Sequence, residues 1–531
     1  MASGARTRWS ALAASALIQC FAGSSYCFGI YSPALKSSQG YDQSALDAVA
    51  FFKDVGANVG ILSGLLAAWA PGGLRRPWLV LLAGAALCAA GYLPMWLAVA
   101  GVAPAPLPLV CFYMFLGAQA QTFLNTADVV TAVENFPDRR GTVIGIMKGF
   151  LGLSGAILVQ VQRTLSIDPG SFILMLAILP TAITLLLMYF VDVYSAQRRY
   201  NKKFLDAFSL IAVTVAGYLM VAIICDQVFV ISSAVQSVCF LVLLLLVMSP
   251  VAVAVKAQKT ESKQREELSL GERTGLLSEE TAEDSENASS STALVGSGQD
   301  MSADKVNLNV VQAMCELNFW LLFLAMACGM GSGLATVNNI SQIGGSLGYT
   351  SRETGTLVSL WSIWNFSGRF GAGYISDHFL RSRGVGRPFF IAATLLVMSA
   401  GHAIISSGLP ASLYIGSVLV GLCYGSQWAL MPSITSEIFG LNHFGTIFNT
   451  VAVASPIGSY ILSVRVVGYI YDKESPQGEL ACTGKHCFTL SFVIMACVCV
   501  FGSVVASVLF IRTRKFYRRI IYVRLMSFVE K

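Results

Sequence analysis

Charge is scarce in this sequence: Asp, Glu, Lys and Arg make up only 12% of its 531 residues. Between Arg76 and Asp128 the chain runs for 51 residues without a single charged side chain. A soluble domain could not bury so much uninterrupted apolar sequence beneath a polar surface. The composition therefore excludes a soluble protein and indicates one that crosses a membrane many times.

Catalytic and ATP-binding patterns are also missing. The sequence has no Gly-x-x-x-x-Gly-Lys-Ser/Thr phosphate loop, no Gly-x-Ser-x-Gly motif, no His-Glu-x-x-His motif and only four histidines. We therefore predict that the protein is not an enzyme, is not driven by ATP, and holds no metal or other cofactor. Basic residues lie at the ends of apolar runs rather than in one patch, so nucleic acid is not an expected partner.

The apolar runs are continuous and long enough to cross a membrane. A transmembrane helix needs about 20 apolar residues, and only helices or closed barrels satisfy the backbone in lipid. We count fourteen such runs and predict an all-α polytopic membrane protein with twelve to fourteen transmembrane helices. With the N-terminus placed in the cytoplasm, the inner segments outside the long central loop carry twenty Lys and Arg, and the outer loops carry four. This asymmetry predicts that both termini are cytoplasmic.

Composition divides the chain into five segments. Two helical halves, residues 1–205 and 308–512, flank a linking helical pair at 206–255 and a polar stretch at 256–307. That stretch is acidic and rich in serine, so we predict a disordered cytoplasmic loop. Residues 513–531 form a basic cytoplasmic tail.

The central loop carries a candidate sorting signal. Glu272, Leu276 and Leu277 fit the acidic-dileucine pattern that cytosolic sorting adaptors bind in disordered segments. The alternative is a chance match, since two leucines near a glutamate are common. The sequence leaves the membrane open between a vacuolar or endosomal membrane and the plasma membrane.

Short patterns recur in the two halves about 300 residues apart. Residues 134–143 and 437–447 share a Glu-x-Phe start and a Gly-Thr end at the opening of a new apolar run. Arg-Pro pairs at 76–77 and 387–388 open the third run of each half. We therefore predict two pseudo-symmetric six-helix halves, an arrangement that permits alternating access to a site between them.

Two segments of the chain resemble signature loops of the major facilitator superfamily. Residues 373–387 are similar to its Gly-x-x-x-Asp-(Arg/Lys)-x-Gly-(Arg/Lys) pattern with a longer insert, and residues 136–141 are similar to the loop after its fourth helix. The corresponding loop of the first half, residues 70–76, lacks the aspartate. The resemblance implies a cytoplasmic gate, whose expected members are Arg369, Asp377, Arg381 and Arg387.

The chain resembles the plant nodulin-like branch of that superfamily, the group of nuclear-fusion-defective proteins, more closely. The resemblance rests on residues 8–36 and 51–60 in the first half and on residues 335–344 and 424–428 in the second. It implies a transporter fold and a plant source. The similarity of this branch to oxalate- and formate-type carriers suggests small organic anions as solutes.

Charged and polar residues inside the apolar runs are the candidate solute site, because a charge near the bilayer centre costs at least about 2.5 kcal/mol. Asp128 and Lys148 lie at similar depth in the fourth and fifth runs, which would allow an ion pair between them. Asn125 and Gln121 continue the polar face of the fourth run. Either Lys148 binds a carboxylate while Asp128 titrates, or the pair only fixes two helices together.

Four other residues complete the candidates. Asn58 could line the cavity as a hydrogen-bonding side chain. Arg465 is either a second anion ligand or an arginine that reaches the membrane interface. Cys482 and Cys487 lie in a polar outer loop, where an oxidising space permits a disulfide; a free pair is the alternative.

We therefore predict a secondary active transporter that moves a small solute, an organic anion by the resemblance, by alternating access and with proton coupling. The alternatives are an uncoupled facilitator and a transporter-like receptor or scaffold that signals through the central loop. The expected partners are the solute, the lipid bilayer and cytosolic sorting adaptors. The oligomeric state is left open.

Overall fold

A computed structural model describes most of the chain, namely residues 6–41, 43–68, 77–194, 202–229, 232–280, 307–409, 411–474 and 482–529. Every regular element within these ranges is a helix. The predicted all-α fold is confirmed.

The first half and the linking pair contain ten α-helices. They are α1 (Arg8–Ala22), α2 (Phe28–Gln39), α3 (Gln43–Asn58), α4 (Ile61–Ala68), α5 (Pro77–Val99), α6 (Leu107–Asn135), α7 (Arg140–Thr164), α8 (Pro169–Leu187), α9 (Lys202–Val228) and α10 (Ser233–Glu280). Helices α9 and α10 form the linking pair.

The second half contains nine more. They are α11 (Val310–Cys315), α12 (Leu317–Ser346), α13 (Ser351–Arg383), α14 (Pro388–Ser407), α15 (Ser412–Ile438), α16 (Phe444–Ala452), α17 (Ala454–Ser459), α18 (Tyr469–Glu474) and α19 (His486–Val529).

Thirteen helical stretches of the described chain are long and apolar enough to cross a membrane. The remaining predicted span, residues 352–376, falls on α13, which is too polar to meet that criterion. At about 1.5 Å per residue α13 is nevertheless about 50 Å long. It packs against α7 and α15, so these neighbouring helices cover part of its polar surface. The protein is an integral, multi-pass membrane protein.

Three of the spans are not regular α-helices. The first span breaks at Gly23 into a short 3-10 turn, Ser24–Cys27, before α2 begins. The second breaks between α3 and α4, and the span Phe444–Tyr471 contains a π-helical stretch, Tyr460–Gly468. Interruptions of this kind free backbone groups and commonly mark functional sites.

The two halves meet through two equivalent helix pairs. Helix α7 of the first half packs along α13 of the second, and α16 of the second half packs along α4 of the first. Glycines permit both contacts: a Cβ on Gly373 would lie 2.4 Å from the Gly141 carbonyl oxygen, and one on Gly64 would lie 2.5 Å from Thr446 Cα. The predicted duplication is thus visible as a repeated contact between the halves.

The linking pair packs on the bundle, with α9 against α7 and α13 and with α10 against α1. Helix α10 continues to Glu280, well beyond the predicted start of the disordered loop at residue 256. Residues 256–280 are thus drawn as helix, and Trp9 Nε1 donates to Glu261 Oε1 at 2.8 Å within this extension. Disorder of the loop stays a prediction. The dileucine motif, Glu272, Leu276 and Leu277, falls on this helix, and residues 281–306 lie outside the described residues.

Both ends of α19 bear on sequence predictions. At its start, Cys487 forms a disulfide with Cys482 of the preceding segment. At its other end the helix runs past residue 512 to Val529. The predicted basic tail is thus largely a continuation of the last membrane helix.

Candidate solute site and gate

A buried cluster of charges closes one end of the bundle, which we call the inner end because the sequence predicts that it faces the cytoplasm. Arg387, at the start of α14, forms ion pairs with Asp377 of α13 and Glu437 of α15. Glu437 also accepts a hydrogen bond from the Tyr517 hydroxyl of α19 at 2.9 Å. Four helices of the second half are joined in this way.

The same aspartate ties this cluster to the first half. Asp377 Oδ2 accepts hydrogen bonds from the backbone N and the Oγ1 of Thr142, both at 2.6 Å. Thr142 lies in the first turn of α7, where the helix dipole favours a negative charge. Asp377 therefore bonds at once to its own half and to the opposite half, as expected of a gate residue. Arg381 is exposed at the end of α13.

The equivalent contact of the other helix pair is neutral. Asn449 Nδ2, on α16, donates to Thr126 Oγ1 of α6 at 2.8 Å and lies 3.5 Å from Ser63 Oγ of α4. A Cβ on Gly60 would lie 2.4 Å from Asn449 Oδ1. The inner end is thus held by one charged and one uncharged junction between the halves.

Farther into the bundle, two buried cations from opposite halves lie close together. Arg369 of α13 donates from its guanidinium to the backbone oxygen of Lys148 on α7 at 3.1 Å. It also donates to Asn365 Oδ1 at 2.7 Å and to the Tyr26 hydroxyl at 3.3 Å. Both cationic residues are only 2% exposed. The structure therefore places Arg369 at the centre of the bundle rather than with the expected gate residues.

Aromatic rings form the surface that these cations face. Lys148 Nζ lies 5.2 Å from the centroid of Trp428 and 5.5 Å from that of Phe448. The Arg369 guanidinium carbon lies 5.9 Å from the same Trp428 ring. The buried Trp428 Nε1 has no hydrogen-bond partner. Two cations and a spare N–H donor therefore converge beside apolar rings.

No acid of the described chain pairs with either cation. Lys53 and Asp54 of α3 pair with each other at 2.9 Å. The cationic site consequently has an excess of positive charge, which suits an anionic ligand.

A second polar site lies within the first half. Asp128 of α6 is fully buried, and its Oδ2 accepts a hydrogen bond from Gln19 Nε2 of α1 at 2.7 Å. Its other oxygen, Oδ1, and Gln19 Oε1 have no hydrogen-bond partner. The Ser15 hydroxyl, one turn earlier on α1, lies close enough to interact with the Asp128 carboxyl group. The structure therefore separates Asp128 from Lys148, and the expected ion pair between them is not formed.

The other sequence candidates are distributed around these two sites. Gln121 accepts a hydrogen bond from the Ser25 hydroxyl, and Asn125 is buried with its Oδ1 unpartnered. Asn58 is half-buried and donates to its own helix at Asp54 O, 2.8 Å away. Arg465 is exposed in the π-helical stretch, and no described hydrogen bond or ion pair links it to Lys148 or Arg369.

Sequence reasoning missed Gln19, Tyr26, Trp428 and Glu437 as members of these sites. For Gln19 a signal was present, since an amide inside an apolar run must find a partner when buried. Trp428 belongs to the segment 424–428, which indicates the family but gives no sign of a ligand contact. Glu437 belongs to the repeated pattern, and its ion-pair partners could not be foreseen because they come from helices far apart in sequence.

Comparison with known proteins covers nearly the whole chain. The family described as "Nodulin-like" matches residues 8–255, and the one described as "NFD4, C-terminal domain" matches residues 304–519. Protein NUCLEAR FUSION DEFECTIVE 4 of Arabidopsis thaliana is 26% identical, over 97% of this chain and 90% of that protein. The probable transporter MCH1 of Yarrowia lipolytica is 29% identical, over 26% of this chain and 30% of that protein.

Among solved structures, the fold resembles that of XylE, a proton:xylose symporter of the major facilitator superfamily. The TM-score is 0.53 with 13% sequence identity, and the match covers 93% of this chain and 94% of that chain. At this identity the likeness concerns the fold alone. It confirms the predicted arrangement of two helical halves.

Proposed function

We propose that this chain, a nodulin-like member of the major facilitator superfamily, is a secondary transporter that moves small organic anions across a membrane with the help of protons. The observation that carries the proposal is the cation pair of Lys148 and Arg369. One residue comes from each half, both are buried, and neither has an acidic partner in the described chain.

Electrostatics supports an anionic solute. Two like charges in a dry site repel each other, and each costs at least about 2.5 kcal/mol at membrane depth. A bound carboxylate would offset this cost, because it can accept charge-assisted hydrogen bonds from a guanidinium and an ammonium group at once. Trp428 and Phe448 would contact the carbon skeleton of the solute, as aromatic side chains do in many small-molecule sites.

The placement of the site supports alternating access. Because Lys148 lies on α7 and Arg369 on α13, a rocking motion of the halves would move the two cations relative to each other. The gate at Asp377 and Thr142 closes the inner end, so the solute would leave inward only after these hydrogen bonds break.

Asp128 supports proton coupling. A carboxylate that is fully buried with only neutral partners is costly to keep ionised, and the described structure gives it no cation. Asp128 would therefore take up a proton during part of the cycle and release it when the site becomes hydrated.

The anion site is tested by transport in proteoliposomes. We expect the wild type to take up at least one compound from a panel of small mono- and dicarboxylates, and to ignore neutral sugars. Arg369→Gln and Lys148→Gln should each reduce that uptake at least about tenfold, a loss of about 1.4 kcal/mol in binding. Arg465→Gln removes an exposed cation and serves as the control with normal uptake. Transport of neutral solutes that survives both substitutions would contradict the proposal.

Proton coupling is tested by replacing Asp128 with Asn. Asn keeps the size and the hydrogen bond to Gln19 but cannot carry the proton, so uphill uptake driven by a pH gradient should disappear while solute exchange continues. Asp168→Asn is the matched control, because Asp168 caps α8 outside the membrane and Asn caps helices equally well. Uphill uptake by Asp128→Asn would remove this residue as the coupling group. Solute binding without movement in the wild type would instead favour a receptor.

A further inference from the structure

The buried contact between Gln19 and Asp128 is incomplete in a specific way. Gln19 Nε2 donates to Asp128 Oδ2, and this leaves one oxygen on each side chain, Gln19 Oε1 and Asp128 Oδ1, without a partner. Both oxygens can only accept hydrogen bonds, so neither can donate to the other. A proton on Asp128 supplies one O–H donor, and a carboxylic acid beside a carboxamide can form two hydrogen bonds where the carboxylate forms one.

Few charges compete for this pair. The helices packed against α6 that could face Asp128 are α1, α3, α4, α5, α7 and α16. Helices α4, α5 and α16 carry no charged residue. On α3, Lys53 and Asp54 pair with each other, and on α1, Arg8 pairs with Glu261.

Asp47 of α3 and Glu134, at the inner end of α6, are two further charged residues, and the remaining charges lie on or beside α7. Lys148 faces the rings of Trp428 and Phe448. The other charged residues occur at the two ends of α7 and in the turn before it, at Asp138, Arg139, Arg140 and Arg163. The groups that interact with Asp128 are therefore neutral: the Gln19 amide, which donates a hydrogen bond to it, and the nearby Ser15 hydroxyl.

The helix that carries Gln19 is broken just beyond it. Four residues later, at Gly23, α1 ends and the 3-10 turn begins. A Cβ on Gly23 would lie 1.8 Å from Ser154 Oγ of α7. Only glycine therefore allows the break in the first span to pack this closely against α7. A break held by one close contact can change its bend at a lower cost than a continuous helix.

The turn after the break contacts the cation site directly. Ser25 donates a hydrogen bond to Gln121 on α6. The Tyr26 hydroxyl accepts a hydrogen bond from the Arg369 guanidinium at 3.3 Å. One short segment, residues 19–26, therefore bonds to the buried acid at one end and to the proposed anion ligand at the other.

We infer that Gln19 is a positioning residue for proton coupling, and that the break at Gly23 transmits the protonation of Asp128 to Tyr26 and Arg369. The inference rests on the proposed function, since it explains how the proton site in the first half communicates with the anion site between the halves. When Asp128 gains a proton, Gln19 rotates to form the second hydrogen bond. The end of α1 follows, and the turn shifts against Arg369.

Amide hydrogen exchange tests this link without any solute. We expect the exchange of residues 23–29, corrected for the intrinsic effect of pH, to differ about threefold or more between about pH 6 and about pH 8 in the wild type, because the turn opens to different extents. In Asp128→Asn the difference should vanish. In Gln19→Leu it should vanish as well, since the acid then has no amide to move.

Two further variants guard against a merely structural effect. Gln119→Leu also removes a buried amide of the first half, one that donates to Val59 O rather than to Asp128, and should keep the pH difference. Gln19→Asn keeps a carboxamide without adding a second acid and should recover part of it if Gln19→Leu folds poorly. A pH difference in Gln19→Leu equal to that of the wild type would overturn the inference. If the protein takes up no compound of the carboxylate panel, the proposed function is contradicted, but the exchange result remains valid evidence for the link between Asp128 and the turn.

Discussion

At the scale of single residues, Asp377 makes the strongest case for a gate, because one carboxylate bonds to Arg387 in its own half and to Thr142 in the other. Asp377→Asn leaves the buried Arg387 with Glu437 as its one remaining acid, and loss of one member of a buried ion pair typically costs about 3–5 kcal/mol. The closed inner gate should therefore open more often. The measurement is the rate at which a maleimide labels a cysteine introduced at Ser436, and this rate should rise at least about tenfold. Ser436 is a buried residue of α15, and its backbone oxygen accepts a hydrogen bond from Arg140 of the opposite half.

The control for that experiment is the next residue along α13. His378→Gln changes a neighbouring side chain that is exposed, so it should leave the labelling rate at Ser436 unchanged. Equal labelling in Asp377→Asn and the wild type would show that this carboxylate does not hold the inner end closed.

The sequence indicates which residues are candidates for the site more readily than it indicates which residues are in contact with each other. Asp128 and Lys148 were singled out because charges are rare in apolar runs, and both prove to be buried in the bundle. Their depth along neighbouring helices could be estimated from the rise per residue. The direction in which each side chain points could not, because it depends on how the helices are rotated. Asp128 faces α1, whereas Lys148 faces rings contributed by the opposite half.

At the scale of elements, continuous apolar runs predicted the thirteen helical stretches that can cross a membrane, because each run is about as long as a bilayer is thick. The fourteenth predicted span falls on α13, which is a long helix but a more polar one. The breaks were not predictable. The one at Gly23 depends on the approach of Ser154 from α7, a contact between segments 131 residues apart. The extension of helix α10 beyond residue 256 was not predictable for a related reason. Its acidic composition is typical of disorder, but Glu261 bonds to Arg8 and Trp9 of the first helix.

At the scale of the whole molecule, the two halves are equivalent in fold but not in charge. The junction of α7 with α13 is sealed by Asp377, whereas the junction of α4 with α16 relies on Asn449, Thr126 and Ser63. If the halves rock, both junctions must separate when the inner end opens. The uncharged junction offers the cleaner test, because a link can be introduced there without removing an ion pair.

A cysteine pair at Ser63 and Asn449 would join α4 to α16 across the two halves. We expect oxidation of this pair to reduce carboxylate uptake to the level of empty liposomes, because the inner end can no longer open, and a reducing agent should restore uptake. Cysteines at Ser63 and Thr126 are the matched control. Their hydroxyl oxygens are 2.7 Å apart, but both residues belong to the first half, so oxidation there should leave uptake intact. If transport continued at full rate while the Ser63–Asn449 pair was completely cross-linked, separation of the halves at this junction could not be part of the cycle.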